Sequence, residues 1–320
     1  IDLYGEERIK AGLIYTLKVA SEREGHTYLP QNELIENCLQ ILNFGEAERN
    51  SVSKCLDYLQ IEGLVKNFSY HGEEVSVLTK FYFQENYIAK KLYKLSYNIF
   101  DDKFNFLDSV NFYQRIHKIQ LNGEQTDAVL ASTNKGVSII TGGPGTGKTT
   151  TIKGIIKVFE KQNLDIALAA PTGRAAKRMT ELTGKEAKTI HRLLEVEWDE
   201  DDKPVFRRDV KNPLDCNALI LDELSMVDIS LFASLLDALP LGCRLILVGD
   251  SDQLPPVGPG NVLHDLIKAE VLPVVELNKV FRQAMESKII SNAHKIVVGE
   301  MPKRKDTAVG EKRVELHLHT

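Results

Sequence analysis

The spacing of apolar residues changes character once along this chain, and the change divides it. Up to about residue 112, apolar positions recur at helical intervals. Ile9, Leu13, Leu17 and Val19 form one run, and Leu34, Ile35, Cys38 and Leu39 form the next. A third helix is predicted from roughly Glu46 to Leu59, ending near Gly63. Two short runs, Leu64 to Phe68 and Glu74 to Leu78, flank the turn His71-Gly72 and read as strands. Helices followed by a β-hairpin give the outline of a winged helix. A helical accessory domain that touches no nucleic acid fits the same pattern.

From Gly136 the texture is different. Short apolar runs (Val137 to Thr141, Ile166 to Ala170, Ala218 to Leu221, Leu245 to Val248 and Val274 to Leu277) alternate with amphipathic stretches. Apolar strands interleaved with helices predict an α/β domain, a parallel sheet covered on both faces. The rhythm breaks at Asp199-Glu200-Asp201-Asp202 and stops after Pro302 in Lys303-Arg304-Lys305-Asp306. The expected division is therefore a mainly helical domain over 1–112, an α/β domain over 113–301 and a tail over 302–320.

Bulk properties narrow this only a little. The chain has 320 residues, 43% hydrophobic and 27% charged, as expected of a soluble globular protein of one or two domains. No apolar run reaches the roughly eighteen residues of a membrane helix, so no membrane partner is expected. A net charge of −5 argues against a protein that coats nucleic acid, while leaving room for a local basic groove. Cys38, Cys55, Cys216 and Cys243 are too scattered for a zinc knuckle and read as buried, reduced thiols of a cytoplasmic protein.

The candidate chemistry begins at Gly142-Gly143-Pro144-Gly145-Thr146-Gly147-Lys148-Thr149, which fits G-x-x-x-x-G-K-[ST] between a predicted strand and a helix from Thr150 to Gln162. The glycines let successive backbone N–H groups point at phosphate oxygens, with a helix N-terminus behind them. In that arrangement Lys148 reaches the β- and γ-phosphates, the Thr149 hydroxyl ligates Mg²⁺, and Thr150 is the last of the nucleotide-binding residues. Ala218 to Leu221 ends in Asp222-Glu223 at a strand's C-terminal edge, where open α/β sheets bind ligands. Asp222 there suits Mg²⁺ and Glu223 suits polarising an attacking water. The next strand leads to Asp250-Ser251-Asp252-Gln253-Leu254-Pro255-Pro256. Gln253 is placed to sense a γ-phosphate; a Pro-rich turn with a solvated Gln fits the spacing equally. Asn278-Lys279 continues as Val280-Phe281, so the guanine-reading N-K-x-D pattern is incomplete there, and nothing from Thr150 to Leu221 resembles L-S-G-G-Q.

Six segments in order, GGPGTGKTT, APTGRAAKRM, TIHRLL, LILDELSMVD, VGDSDQLPPVGPG and LNKVFRQA, resemble the first motifs of RecD-like superfamily 1 DNA helicases over about Leu121 to Pro302. Gly25-His26-Thr27-Tyr28-Leu29-Pro30 also resembles the region ahead of the motor in longer members of that family. The resemblance implies a RecA-like P-loop domain that hydrolyses ATP with Mg²⁺. The parent enzyme would translocate 5′ to 3′ on single-stranded DNA and open ss/ds junctions in repair or recombination. It implies that Gln125 reads adenine, that Arg282 contacts the γ-phosphate as a cis arginine finger, and that Thr172, Arg174, Thr189 and His191 hold the strand. His191 fits a packed helix position as well. Between His191 and Asp215, Glu195 to Trp198 and Pro204 to Arg207 alternate around an acidic turn and predict a β-hairpin. The family carries a duplex-splitting hairpin at this point, and Trp198 or Phe206 could stack on a base; a surface hairpin without DNA contact is the alternative.

Two departures from the family stand out. The later helicase motifs of a second RecA-like domain are absent, as are upstream helix-hairpin-helix elements. The tail Glu311 to Thr320, with His317 and His319, resembles the opening strand of a PHP phosphoesterase domain; two histidines without further ligands make no metal site. The competing function class is a module that binds ATP and DNA without turnover. No protein partner is implied by any segment.

Overall fold

The computed structural model describes residues 4–98, 100, 106–117, 119–199, 204–280, 288–297 and 299–301. Its N-terminal part is α1 (Glu6–Glu24), β1 (Tyr28–Pro30), α2 (Gln31–Leu42), α3 (Arg49–Ile61), β2 (Val65–Tyr70) and β3 (Glu73–Leu78). The strands form an antiparallel sheet in the order β1-β3-β2, and β2 and β3 pair from Val65↔Leu78 to Tyr70↔Glu73. Three helices, a three-stranded sheet and a terminal hairpin are the topology of a winged helix. The helical apolar spacing closes this unit: Leu13, Leu34, Cys38, Val52 and Leu56 meet in one buried cluster.

Helix α4 (Thr79–Ser96) follows, then α5 (Phe106–His117) and α6 (Gly123–Asn134). The chain next enters a six-stranded sheet of order β11-β4-β10-β9-β5-β6, every described pairing parallel. Its strands are β4 (Val137–Thr141), β5 (Ile166–Ala170), β6 (Ala187–Thr189), β9 (Ala218–Leu221), β10 (Arg244–Gly249) and β11 (Val274–Glu276). Four further helices connect them: α7 (Lys148–Lys161), α8 (Gly173–Thr183), α10 (Ile229–Ala238) and α11 (Val262–Lys268). Helix α12 (Lys288–Val297) comes after β11. Between β6 and β9 lie the single-turn α9 (Ile190–Leu193) and the hairpin β7 (Val196–Trp198) and β8 (Pro204–Phe206), so the expected insertion is present.

The near-continuous apolar strands have the reason anticipated: both faces are covered. Ile139, Leu219 and Leu247 project into a cluster with α4 and α10, while Ile140, Ile220 and Ile246 project into one with α5 and α7. Successive side chains of one strand thus feed two cores. The expected boundary at residue 112 falls inside α5, which packs on the six-stranded-sheet domain through Val110 and Tyr113. Helix α4 joins that domain as well, through Phe81, Ile88 and Leu92. At its end the backbone passes so close to Gly136 that a Cβ there would lie 1.8 Å from the Leu95 carbonyl oxygen. The tail and its histidines lie outside the described residues. Among the described residues no helix is long and apolar enough to cross a membrane.

The four cysteines are free and buried, as expected, although Cys216 and Cys243 are not scattered in space: their Sγ atoms stand 3.7 Å apart.

Candidate functional site

The C-terminal ends of β4, β9 and β10 converge on one cleft of about 550 Å³, lined among others by Lys148, Thr149, Asp222, Glu223 and Gln253. The loop after β4 owes its curl to Gly145 and Gly147, whose φ of 81° and 88° only glycine adopts at no steric cost. A Cβ on Gly142 would stand 2.7 Å from the Leu277 carbonyl oxygen, so this residue must also be glycine. Thr146 Oγ1 donates to Gly143 O at 2.9 Å and closes the loop on itself. Lys148 Nζ donates to the carbonyls of Gly142 and, at 3.3 Å, Gly143. Pro144 lies on the rim of the cleft, and Thr149 lines it beside Lys148. Thr150 sits in the first turn of α7 but does not line the cleft.

Across the cleft, Glu223 adopts a left-handed conformation, φ 56°, and its N–H donates to Asp222 Oδ1 at 2.9 Å. Positive φ on a long side chain is uncommon and marks a residue held where the fold needs it. Burial pushes the Asp222 carboxyl up to about 6, and the neighbouring Glu223 charge adds to this. The Glu223 N–H, Lys148 and Arg178 pull the other way. Two crowded carboxylates, one of them poorly hydrated, beside a threonine hydroxyl form an all-oxygen donor set suited to Mg²⁺. Gln253 closes the third side, its Oε1 accepting from Ser225 Oγ at 3.1 Å. The Gln253 loop and the acidic turn are thereby tied together.

Two of the expected site residues hold partners within the protein. Gln125 is fully buried; its Oε1 accepts from Asn122 N–H at 3.1 Å and its Nε2 donates to Gly147 O at 3.3 Å. Each end of the amide thus has a partner in a helix cap behind the phosphate loop, which Gln125 braces. Phe206, half-buried, packs against the core and its ring lies 5.9 Å from that of His191, so it anchors the hairpin base. His191 itself is half-buried. Trp198, on the same face nearer the tip, is 64% exposed. Glu197 and Arg207 brace the other face with an ion pair of 2.5 Å.

Thr172 and Thr189 cap α8 and α9, their hydroxyls accepting from Ala175 N–H at 3.2 Å and Arg192 N–H at 3.1 Å. Arg174 is exposed in the first turn of α8. Arg282 lies outside the described residues. Sequence reasoning missed Arg178, which lines the cleft and favours the charged form of Asp222. Its spacing of four from Arg174, one helical face, was the available signal. Glu124 was missed too: its Oε2 accepts from the N–H groups of Asn278 and Lys279 at 2.9 and 3.2 Å, fixing the chain as it leaves β11.

Strand order, loop and acidic pair together define a RecA-like P-loop domain. Comparison with known proteins narrows this. A family model described as an AAA domain matches residues 125–259. Over 196 residues the chain is 42% identical to the ATP-dependent RecD2 DNA helicase of Deinococcus radiodurans, covering 61% of this chain and 26% of that protein. Over 169 residues it is 41% identical to the RecBCD enzyme subunit RecD of Mycobacterium tuberculosis, covering 45% of this chain and 28% of that protein. The crystal structure of a Pif1 helicase from Candida albicans aligns over 57% of this chain and 45% of its own, at 26% identity and a TM-score of 0.43. The resemblance to RecD-like helicases read from the six motifs therefore holds. The chain spans about a quarter of the length of the curated relatives it matches.

Proposed function

We propose that this chain is the nucleotide-binding part of an ATP-dependent DNA helicase motor. The observation that carries the reading is the meeting of Lys148, Asp222, Glu223 and Gln253, from three strands, around one cleft. Loop amides and the start of α7 receive the phosphates, and Lys148 moves from its carbonyl partners onto β- and γ-oxygens. Thr149 and Asp222 would hold Mg²⁺, which when bound neutralises charge on the β- and γ-phosphates. Glu223 orients a water and takes its proton as the oxygen attacks the γ-phosphorus. The bond to the β-bridging oxygen breaks, and ADP leaves with inorganic phosphate. Gln253 hydrogen-bonds the γ-phosphate and loses that partner on hydrolysis, a signal it passes to the loop it stands on. Arg282 adds positive charge, by resemblance. The exposed Arg174 at the start of α8 offers charge to a single-strand backbone, and Trp198 offers a ring to a base. Motion 5′ to 3′ and a role in repair or recombination belong to this proposal and rest on the resemblance of the six motifs.

Phosphate release with and without single-stranded DNA, then strand displacement on a 5′-tailed duplex, tests the reading. DNA-stimulated release supports a motor. ATP and DNA binding without any turnover would overturn it in favour of a binding module.

A further inference from the structure

The loop that carries Gln253 does not end in solvent. Its far end, Gly258-Pro259-Gly260, lies against Gly25 to Thr27, the turn that joins α1 to β1 in the winged-helix domain. Gly260 N–H donates to Gly25 O at 2.8 Å. A Cβ on Gly25 would lie 3.2 Å from Gly258 O, and one on Gly260 would lie 3.4 Å from Thr27 Cγ2. Thr27 favours the charged form of the Glu85 carboxyl on α4, and α4 is tied to α10 by Tyr87 donating to Asp237 at 2.9 Å and Ser230 donating to Gln84 at 3.1 Å. On the motor side, Ile229 N–H donates to Pro259 O at 3.0 Å, and a Cβ on Gly258 would lie 2.9 Å from Asp228 Oδ2. The segment is thus clasped from two sides with no room for a side chain. Between clasp and sensor, Leu254 and Val257 are 87% and 99% exposed, so nothing there absorbs a displacement by packing. Pro255, Pro256 and Pro259 fix φ and stiffen the connection.

We propose that the winged-helix domain is a positioning element for the motor's γ-phosphate response. The Gly25–Gly260 clasp sets where Gln253 stands against the Asp222-Glu223 turn, and movement of the sensor on hydrolysis reaches the winged helix through the same stiff loop. This rests on the reading of Gln253 as a γ-phosphate sensor. Coupling of this kind is reciprocal, so disturbing the clasp changes how the motor tells ATP from ADP.

The test compares Gly25→Asn with Gly63→Asn in the full chain. Both glycines are left-handed, with φ of 77° and 75°, and asparagine tolerates that conformation. A Cβ at position 63 meets nothing within 4 Å, so the second variant controls for the chemical change. The measurements are the dissociation constants of ADP and ATP and the DNA-stimulated kcat. Gly25→Asn should shift the ADP-to-ATP ratio or kcat by about fivefold or more, with ADP affinity retained, while Gly63→Asn matches the parent. A parent-like ratio and kcat in Gly25→Asn overturn the proposal. Should that variant not fold, hydrogen exchange on the parent decides. Protection of the Gly260 amide should differ between ADP and the β,γ-imido analogue of ATP, and equal protection overturns the proposal. Gln253→Ala runs alongside: a parent-like ratio there removes the sensor reading itself, whereas a shifted ratio there with a parent-like Gly25→Asn defeats the clasp alone.

Discussion

The phosphate cleft and the β7–β8 hairpin sit on one domain and hold their side chains in opposite ways. In the cleft, Asp222 is pushed up to about 6 by burial, Glu223 is held at positive φ, and Gln253 is tied to Ser225. Among the described residues the hairpin pairs at three positions, and its tryptophan is 64% exposed. The cleft is a preorganised site in which Asp222 was desolvated when the chain folded. The hairpin is anchored through Phe206 and leaves Trp198, the group proposed to meet a base, in water. Substitutions in the cleft should therefore change turnover by orders of magnitude, and those on the hairpin should change affinity by modest factors.

The largest effect is expected at the phosphates. Lys148→Ala should lower phosphate release by about 10³-fold or more and weaken nucleotide binding, because the main cation facing the phosphates is gone. Glu223→Gln should lose turnover to a similar extent with ATP affinity retained, since it alters the group that takes the water's proton. Equal losses of ATP affinity in both variants would break the division of roles.

Asp222 sharpens the comparison next, because its burial has a cost that the exposed hairpin does not carry. Its carboxyl is raised from 3.8 to about 6, so the folded state holds the proton more tightly than the unfolded state. Parent stability therefore falls as pH rises between those values and stays lowered above about 6. Asp222→Asn, neutral throughout, should abolish Mg²⁺-dependent turnover while stabilising the nucleotide-free protein by about 1–3 kcal/mol near pH 7.5. The gain should vanish near pH 4. Melting temperatures of both proteins across this range check it, and a difference independent of pH would contradict the assignment of burial as the cause.

The same contrast explains what could be read from the residues alone. The phosphate loop is dictated by backbone geometry that few sequences satisfy, and the five apolar runs named β4, β5, β9, β10 and β11 with little error in their ends. Strands β1 and β6 escaped notice because Tyr28-Leu29-Pro30 and Ala187-Lys188-Thr189 are short edge strands without an apolar run. The burial of Gln125 was not legible because resemblance transfers a residue type but not its surroundings, here Asn122 and Gly147 in three dimensions. The clasp of Gly25 on Gly260 joins residues that no local pattern connects. Phe206 was paired with Trp198 because alternation gives the face of a hairpin and not its distance from the core.

A smaller effect is expected for strand contact. Arg174→Ala should weaken single-stranded DNA binding about tenfold at low salt and reduce the salt slope by about one, for all sequences alike. Titrations over a range of salt concentrations measure both quantities. Loss of affinity confined to particular sequences would show that Arg174 contacts bases.

The smallest effect concerns the hairpin, and the chain supplies its own probe: Trp198 is the single tryptophan. Its face is shared with Phe206, but only Phe206 reaches the core. If Trp198 stacks on a base, saturating oligothymidylate should quench the intrinsic fluorescence, since stacking places a base within contact of the indole. Trp198→Ala should bind about fivefold more weakly, the lower end of the value of one stacked base, with unchanged salt slope because stacking releases no counterions. Its melting temperature should stay that of the parent, because a ring this exposed buries little surface. Phe206→Ala should show the reverse, a lowered melting temperature from lost packing at the hairpin base. Its quenching on DNA should be reduced but present, as a frayed hairpin still carries the indole. Undiminished fluorescence at saturating oligothymidylate, together with parent-like binding by Trp198→Ala, would make the hairpin a surface feature and leave strand contact to α8 and its neighbours.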